Sequence, residues 1–235
     1  MWYLRYEPTY RPKLRTTPPG RPWVELNGEG WRPLVTWDLD LWRGQFGPRV
    51  VPGTYKVQLN VGSKSFMQEL IVLQDPKTKN SIEDIENQVA ISLELRDAMN
   101  IAVNMINTVE IIRNELHQLI PELKRKEDVN EAQRLLTLSE EIAGKLYDIH
   151  LTGAREDAFR SPMQLYGRLS ALASDINGSG IDFSPTQQQG EVKGILSERL
   201  IKIESQFTEL VEKDIKSLNE QLEKSRLKID IEKKS

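Results

Sequence analysis

Two histidines, one pair of aspartates and five tryptophans are the side chains with the best claim to chemistry in this sequence. His117 and His150 each lie near the end of a predicted helix, where a cation meets the carbonyl end of the helix dipole. No His-x-x-x-His or Glu-x-x-His spacing supplies either with a second ligand, so a structural role is expected and no metal site is read. Asp38 and Asp40 in "TWDLDLW" alternate with Trp37, Leu39 and Leu41 and share one face of a predicted strand. Two carboxylates so placed invite comparison with glycoside hydrolysis, but solvent-facing positions of an amphipathic strand explain them equally well. Trp2, Trp23, Trp31, Trp37 and Trp42 could stack on sugar rings, whereas packing in the core of a small β-domain or between domains is the expected use. There is no Gly-rich phosphate loop and no nucleophile elbow. No catalytic residue, no cofactor-binding residue and no metal ligand is therefore expected.

Composition narrows the classes further. Among 235 residues, 32 basic side chains are scattered among 35 acidic ones for a net charge of -3, so no basic surface argues for nucleic acid. The absence of cysteine removes thiol catalysis, thiolate metal sites and disulfides. No run of 18 apolar residues predicts a membrane span, and "MWYLRYEPTY" lacks the apolar core of a signal peptide.

The elements that must position any site divide near residue 80. All five tryptophans and nine of the twelve prolines precede residue 77, which suits short strands and irregular loops. In "GPRVVPGTYKVQLNV" at 47–61, Tyr55, Val57, Leu59 and Val61 alternate with polar residues as in a half-buried strand. Gly62-Ser63 then predicts a two-residue type II′ turn. The resulting hairpin sets Phe66 opposite Leu59, Leu70 opposite Tyr55 and Gln68 opposite Val57. Met67, Ile71 and Leu73 are apolar on the outer face as well, which predicts a cover from a helix or a neighbouring segment.

Beyond residue 80 the period changes to that of helices. Ser81 with Asp84 opens a long helix that ends at Pro121 and carries Ile85, Val89, Leu93, Met99, Val103, Ile106, Ile112, Leu116 and Leu119. A second is expected over 129–150, capped by Asp128, with Leu135, Leu138, Ile142, Leu146 and Ile149 as its seam. Ser161-Pro162 opens a shorter helix with Leu165, Leu169, Leu172 and Ile176 on one face, stopped by "NGSG" at 177–180. Ser184-Pro185 opens another, with a stripe from Val192 through Leu196, Leu200, Ile203, Phe207, Leu210, Ile215 and Leu218 to Leu222. The final "KIDIEKKS" is expected to fray.

"WYLRYEP" at 2–8, "GPRVVPGTYKVQLNV" at 47–61 and "QDPK" at 74–77 resemble the C-terminal part of bacterial sortilin-like (VPS10-type, BNR-repeat) β-propeller proteins, which often carry a glycosyl hydrolase label. "LYGRLSALASDINGSGIDFSPTQQQGEVKGIL" is similar to a leucine-spaced helix and helix opening of the same family. Tyr3 stands where that family's strand usually has Asp, and the strands expected before "WYLRY" are missing along with the propeller.

The resemblance implies an Ig-like or FlgD-like β-sandwich after a propeller, in an exported protein of the periplasm or the exterior. The chain then reads as a C-terminal fragment with an unpaired edge near Trp2 to Tyr6. The expectation is an α+β chain: a partial Ig-like antiparallel β-sandwich over 1–78, then an antiparallel α-helical bundle over 79–235. Its function is read as a non-catalytic structural and interaction module that braces the upstream β-propeller and offers the bundle to a protein partner. A carbohydrate-binding module using surface tryptophans, or an accessory part of a glycosyl hydrolase, is the alternative.

Overall fold

The computed structural model describes residues 2–34, 44–154, 156–157, 162–177, 182–223 and 227–231. They form an α+β structure with two small antiparallel sheets, each of two strands. Strand β1 (Lys13–Leu14) pairs with β2 (Arg32–Pro33), and β3 (Gly53–Val61) pairs with β4 (Lys64–Val72). The helices are α1 (Ile82–Leu119), α2 (Lys126–Leu146), α3 (Leu165–Asn177) and α4 (Gln187–Glu209), the last running through a π segment, Leu210–Ile215, into α5 (Lys216–Leu222).

Helix α1 begins where the sequence predicts. The Ser81 hydroxyl accepts from the Asp84 amide, and the Asp84 carboxylate accepts from the Ser81 amide. The other starts move. Helix α2 begins at Lys126 and not at the expected 129, so Asp128 lies inside its first turn, ion-paired with Arg125 at 2.7 Å. It ends at Leu146, because Tyr147 is extended, which leaves Ile149 and His150 outside the helix. Helix α4 is capped by Thr186 with Gln189 in a reciprocal box, two residues past the expected Ser184. Helix α3 begins at Leu165, so Pro162, expected at its first position, lies three residues ahead of it; Ser161 and residues 178–180 lie outside the described residues.

One apolar cluster joins all the helices. Leu95, Met99, Ile106 and Ile112 of α1 meet Leu135 and Ile142 of α2, Leu165 and Leu169 of α3, and Leu196 and Leu210 beyond them. Side-chain ties between residues 125 and 221, 134 and 214, and 145 and 206 show that α2 runs antiparallel to the α4–α5 length. Within α4–α5 the apolar stripe of Leu196, Leu200, Ile203, the half-buried Phe207 and Leu210 steps by three or four, and then by five to Ile215. On an uninterrupted α-helix, Ile215 would point about 140° away from Leu210. The extra residue of the π turn brings Ile215, Leu218 and Leu222 back to the core. The expected stripe fails at its start, where Val192 is 44% exposed. The tail also departs from expectation: Ile229 is buried, and it exchanges two hydrogen bonds with the Asn219 side chain, at 2.7 and 3.0 Å.

The first 50 residues do not stack into a sandwich among the described residues. Residues 4–9 instead run antiparallel to 45–50, with the Tyr6 amide donating to Pro48 O and the Val50 amide to Leu4 O. The segment Trp2 to Tyr6, expected to be an open edge, is thus partly paired. Gly47 is required there, since a Cβ at that position would sit 1.8 Å from the Tyr6 carbonyl oxygen.

The chain then lies along α1. The Tyr10 amide donates to Asn100 Oδ1 and the Lys13 amide to Asn107 Oδ1, at 2.8 and 2.7 Å. Three extended residues and seven helical ones both advance about 10 Å, so the two periods match. Leu14 ends this strap inside the helical core and carries one continuous apolar cluster across the expected 78/79 boundary.

Candidate interaction surface and the buried polar cluster

The β3–β4 hairpin forms in the expected register, with Tyr55 opposite Leu70, Val57 opposite Gln68 and Leu59 opposite Phe66. Gly62 has φ +60° and Ser63 does not share a positive φ, the combination a type II′ turn requires. The surroundings differ from expectation. Neither face is buried: Leu59, Phe66, Met67 and Ile71 are each 56–65% exposed, and Leu73 is 81% exposed. Among the described residues no helix covers Met67, Ile71 or Leu73, and the hairpin packs almost entirely on itself. Its base touches Trp2, whose ring meets Tyr55 edge-on at 5.8 Å. Beside that base, a cleft of about 340 Å³ lies between Tyr3, Val72, Ile85, Gln88 and Ser92. The Ser92 hydroxyl is buried there without a hydrogen-bond partner.

The titratable groups that converge most closely are ones the sequence reading did not single out. Glu110 on α1 is fully buried, and its carboxylate accepts from the Arg15 amide at 2.6 Å, the Thr16 amide at 2.9 Å and the Tyr147 hydroxyl at 2.6 Å. The Thr16 hydroxyl and the Arg113 guanidinium complete its shell at 3.1 and 2.5 Å. Arg113 also donates to the hydroxyls of Thr16 and Tyr147, at 2.9 and 3.0 Å, and Glu140 stands 3.6 Å from it. Arg32 extends the cluster by donating to Thr16 O and to Leu151 O, at 3.1 and 2.8 Å.

Burial, and then the Glu110 charge, push the Tyr147 phenol well above its ordinary range. Burial works against the Arg113 charge, but Tyr147 and Glu110 outweigh it and hold the guanidinium above its usual value. Burial lowers Arg32. Glu110, Arg113, Tyr147, Thr16 and Arg32 are all no more than 6% exposed, so the cluster offers no face to a substrate. Its chemistry is that of a clamp, fastening the strap and the turn after α2 to α1. The sequence did carry a sign of it: Glu110 is four residues after Ile106 and Arg113 three further on, a charged pair inside an apolar stripe.

The expected candidates fall apart in space. His117 is exposed in the last turn of α1, while His150 sits in a turn where its amide donates to Asp148 Oδ1. Asp38, Asp40, Trp37 and Trp42 lie outside the described residues. The tryptophans that are described are not core residues. Trp23 is 71% exposed and Trp2 45%, and Trp31 is half-buried, donating to Glu29 under the Lys13 ammonium. No group of three or more acidic or histidine side chains placed to hold a metal occurs among the described residues. No helix there is long and apolar enough to cross a membrane.

Comparison with protein-family profiles, with curated proteins and with solved structures finds no match.

Proposed function

We propose that this chain is a non-catalytic structural and interaction module, the C-terminal part of an exported sortilin-like β-propeller protein. In this reading the hairpin is part of an Ig-like sandwich whose remaining strands come from the preceding polypeptide. The α1–α5 bundle is the rigid base that carries it. The observation that supports the reading is the hairpin itself, a regular two-stranded ribbon that leaves Leu59, Phe66, Met67, Ile71 and Leu73 each more than half exposed. Reading the genomic frame upstream of the Met1 codon tests it. Propeller repeats in frame, and binding of that upstream segment that is lost in Leu59→Lys and Ile71→Lys, are expected; an in-frame stop just upstream overturns the proposal. Neither substitution should change the unfolding free energy of this chain by more than about 0.5 kcal/mol, since both sites are exposed.

The exposed Trp23 favours a second reading, a carbohydrate-binding module. Tryptophan fluorescence titrated with plant and bacterial glycans separates the two.

A further inference from the structure

The two edges of the hairpin are chemically unequal, and this points to how a partner joins it. With a two-residue loop, Val61 and Lys64 form the loop-closing hydrogen-bonded pair, and every second residue then turns its amide and carbonyl outward. On β3 the outward positions are Thr54, Lys56, Gln58 and Asn60, all polar. Gln58 donates to Asn60 and to Ser65, so on this face, in contrast to the opposite one of Val57, Leu59 and Val61, the β3 edge has the polar, lysine-bearing character that resists strand addition. On β4 they are Ser65, Met67, Glu69 and Ile71, with Met67 63% and Ile71 65% exposed. Resting on the interaction-module reading, the geometry points to β4 as an acceptor edge that takes a third strand from a partner polypeptide.

The edge also specifies that strand. Met67, Glu69 and Ile71 call for an apolar, a basic and an apolar residue at alternate positions, because cross-strand neighbours pair side chain to side chain. Lys56 already faces Glu69 across the hairpin, so a basic residue on the far side would extend a row of alternating charge. A second copy of this chain fits poorly. The antiparallel register that sets Met67 against Ile71 sets Glu69 against Glu69, and the full-overlap register sets each Met67 against a Glu69.

Amide hydrogen exchange of the full chain tests this, with a short blocked peptide in which threonines alternate with valine, lysine and valine. Saturating peptide should slow the Ser65, Met67, Glu69 and Ile71 amides by about tenfold or more and leave those of Thr54, Lys56, Gln58 and Asn60 fast. Glu69→Lys should abolish the effect and transfer it to the peptide with glutamate in place of lysine. Protection on the β3 edge, no protection with the hairpin resonances intact, or protection without peptide that rises with protein concentration would each overturn the inference. Loss of edge protection while an upstream segment still binds through Leu59 defeats this inference alone, whereas edge protection with a stop codon upstream of Met1 defeats the functional reading alone.

Discussion

Removing the charge of Glu110 should cost more than removing that of Arg113, although the two are partners in one buried ion pair. In Arg113→Met the carboxylate keeps the Arg15 and Thr16 amides and the Thr16 and Tyr147 hydroxyls, all at 2.6 to 3.1 Å. Four neutral donors still solvate it, and a loss of about 2–3 kcal/mol follows from the missing charged bond. In Glu110→Gln the guanidinium keeps only Glu140, 3.6 Å away and 35% exposed, as a counter-charge. The new amide group also turns donors toward donors. An uncompensated buried cation costs about 3–5 kcal/mol, which at this chain length lowers the thermal midpoint by about 6–20 °C. The double variant should lose about 1–3 kcal/mol less than the sum of the two, because the pair's mutual attraction is lost in each single change and can be lost only once. Urea unfolding followed by circular dichroism measures all three. Hydrogen exchange at residues 10–16 should show the strap loosening first in Glu110→Gln. Additive effects, single losses under about 1 kcal/mol, or a larger loss for Arg113→Met would refute the reasoning.

Three further outcomes follow from packing and burial. Gly47→Ala should lower stability by about 1–3 kcal/mol or more, since the added Cβ meets the backbone at Tyr6, while Gly53→Ala, with nothing within 4 Å, should not; urea midpoints compare them. Deleting Glu212 removes the extra residue of the π turn and leaves a four-residue step from Leu210 to the core position now held by Ile215, so the melting temperature should change by the equivalent of less than about 1 kcal/mol. Tyr147 is raised well above the ordinary phenol range and Tyr166 is raised to about 12, both chiefly by burial. Groups raised on folding contribute stability below the unfolded phenol value near pH 10 and lose it as pH climbs through their folded values. Alkaline absorbance titration should therefore show a late component that coincides with unfolding, and that shrinks in Tyr147→Phe.

Local chemistry decided much of the structure before any tertiary contact was known. The Ser81–Asp84 box, the Gly62-Ser63 turn with its register, and the α3 face of Leu165, Leu169, Leu172 and Ile176 depend on neighbours within a few residues, and all are present. The helix starts moved, to Lys126 and to Gln187 behind its Thr186 cap, because Asp128 is drawn into an ion pair with Arg125 and Ser184 is displaced by a better-placed capping box. The candidate surface was half legible: alternation predicted the hairpin but not that both of its faces remain exposed, since the same pattern serves a covered sheet and an open one.

Tertiary structure alone decided the rest. Periodicity cannot show which strand lies along which helix, so the strap over α1, the burial of Glu110 and Arg113 and the return of Ile229 to Asn219 were out of reach. Each depends on residues separated by ten to about a hundred positions that meet only when the core closes. Sequence by itself determined the local elements and their apolar faces, because those obey short-range geometry. The fold decided which faces find partners, and it left the β4 edge without one among the described residues.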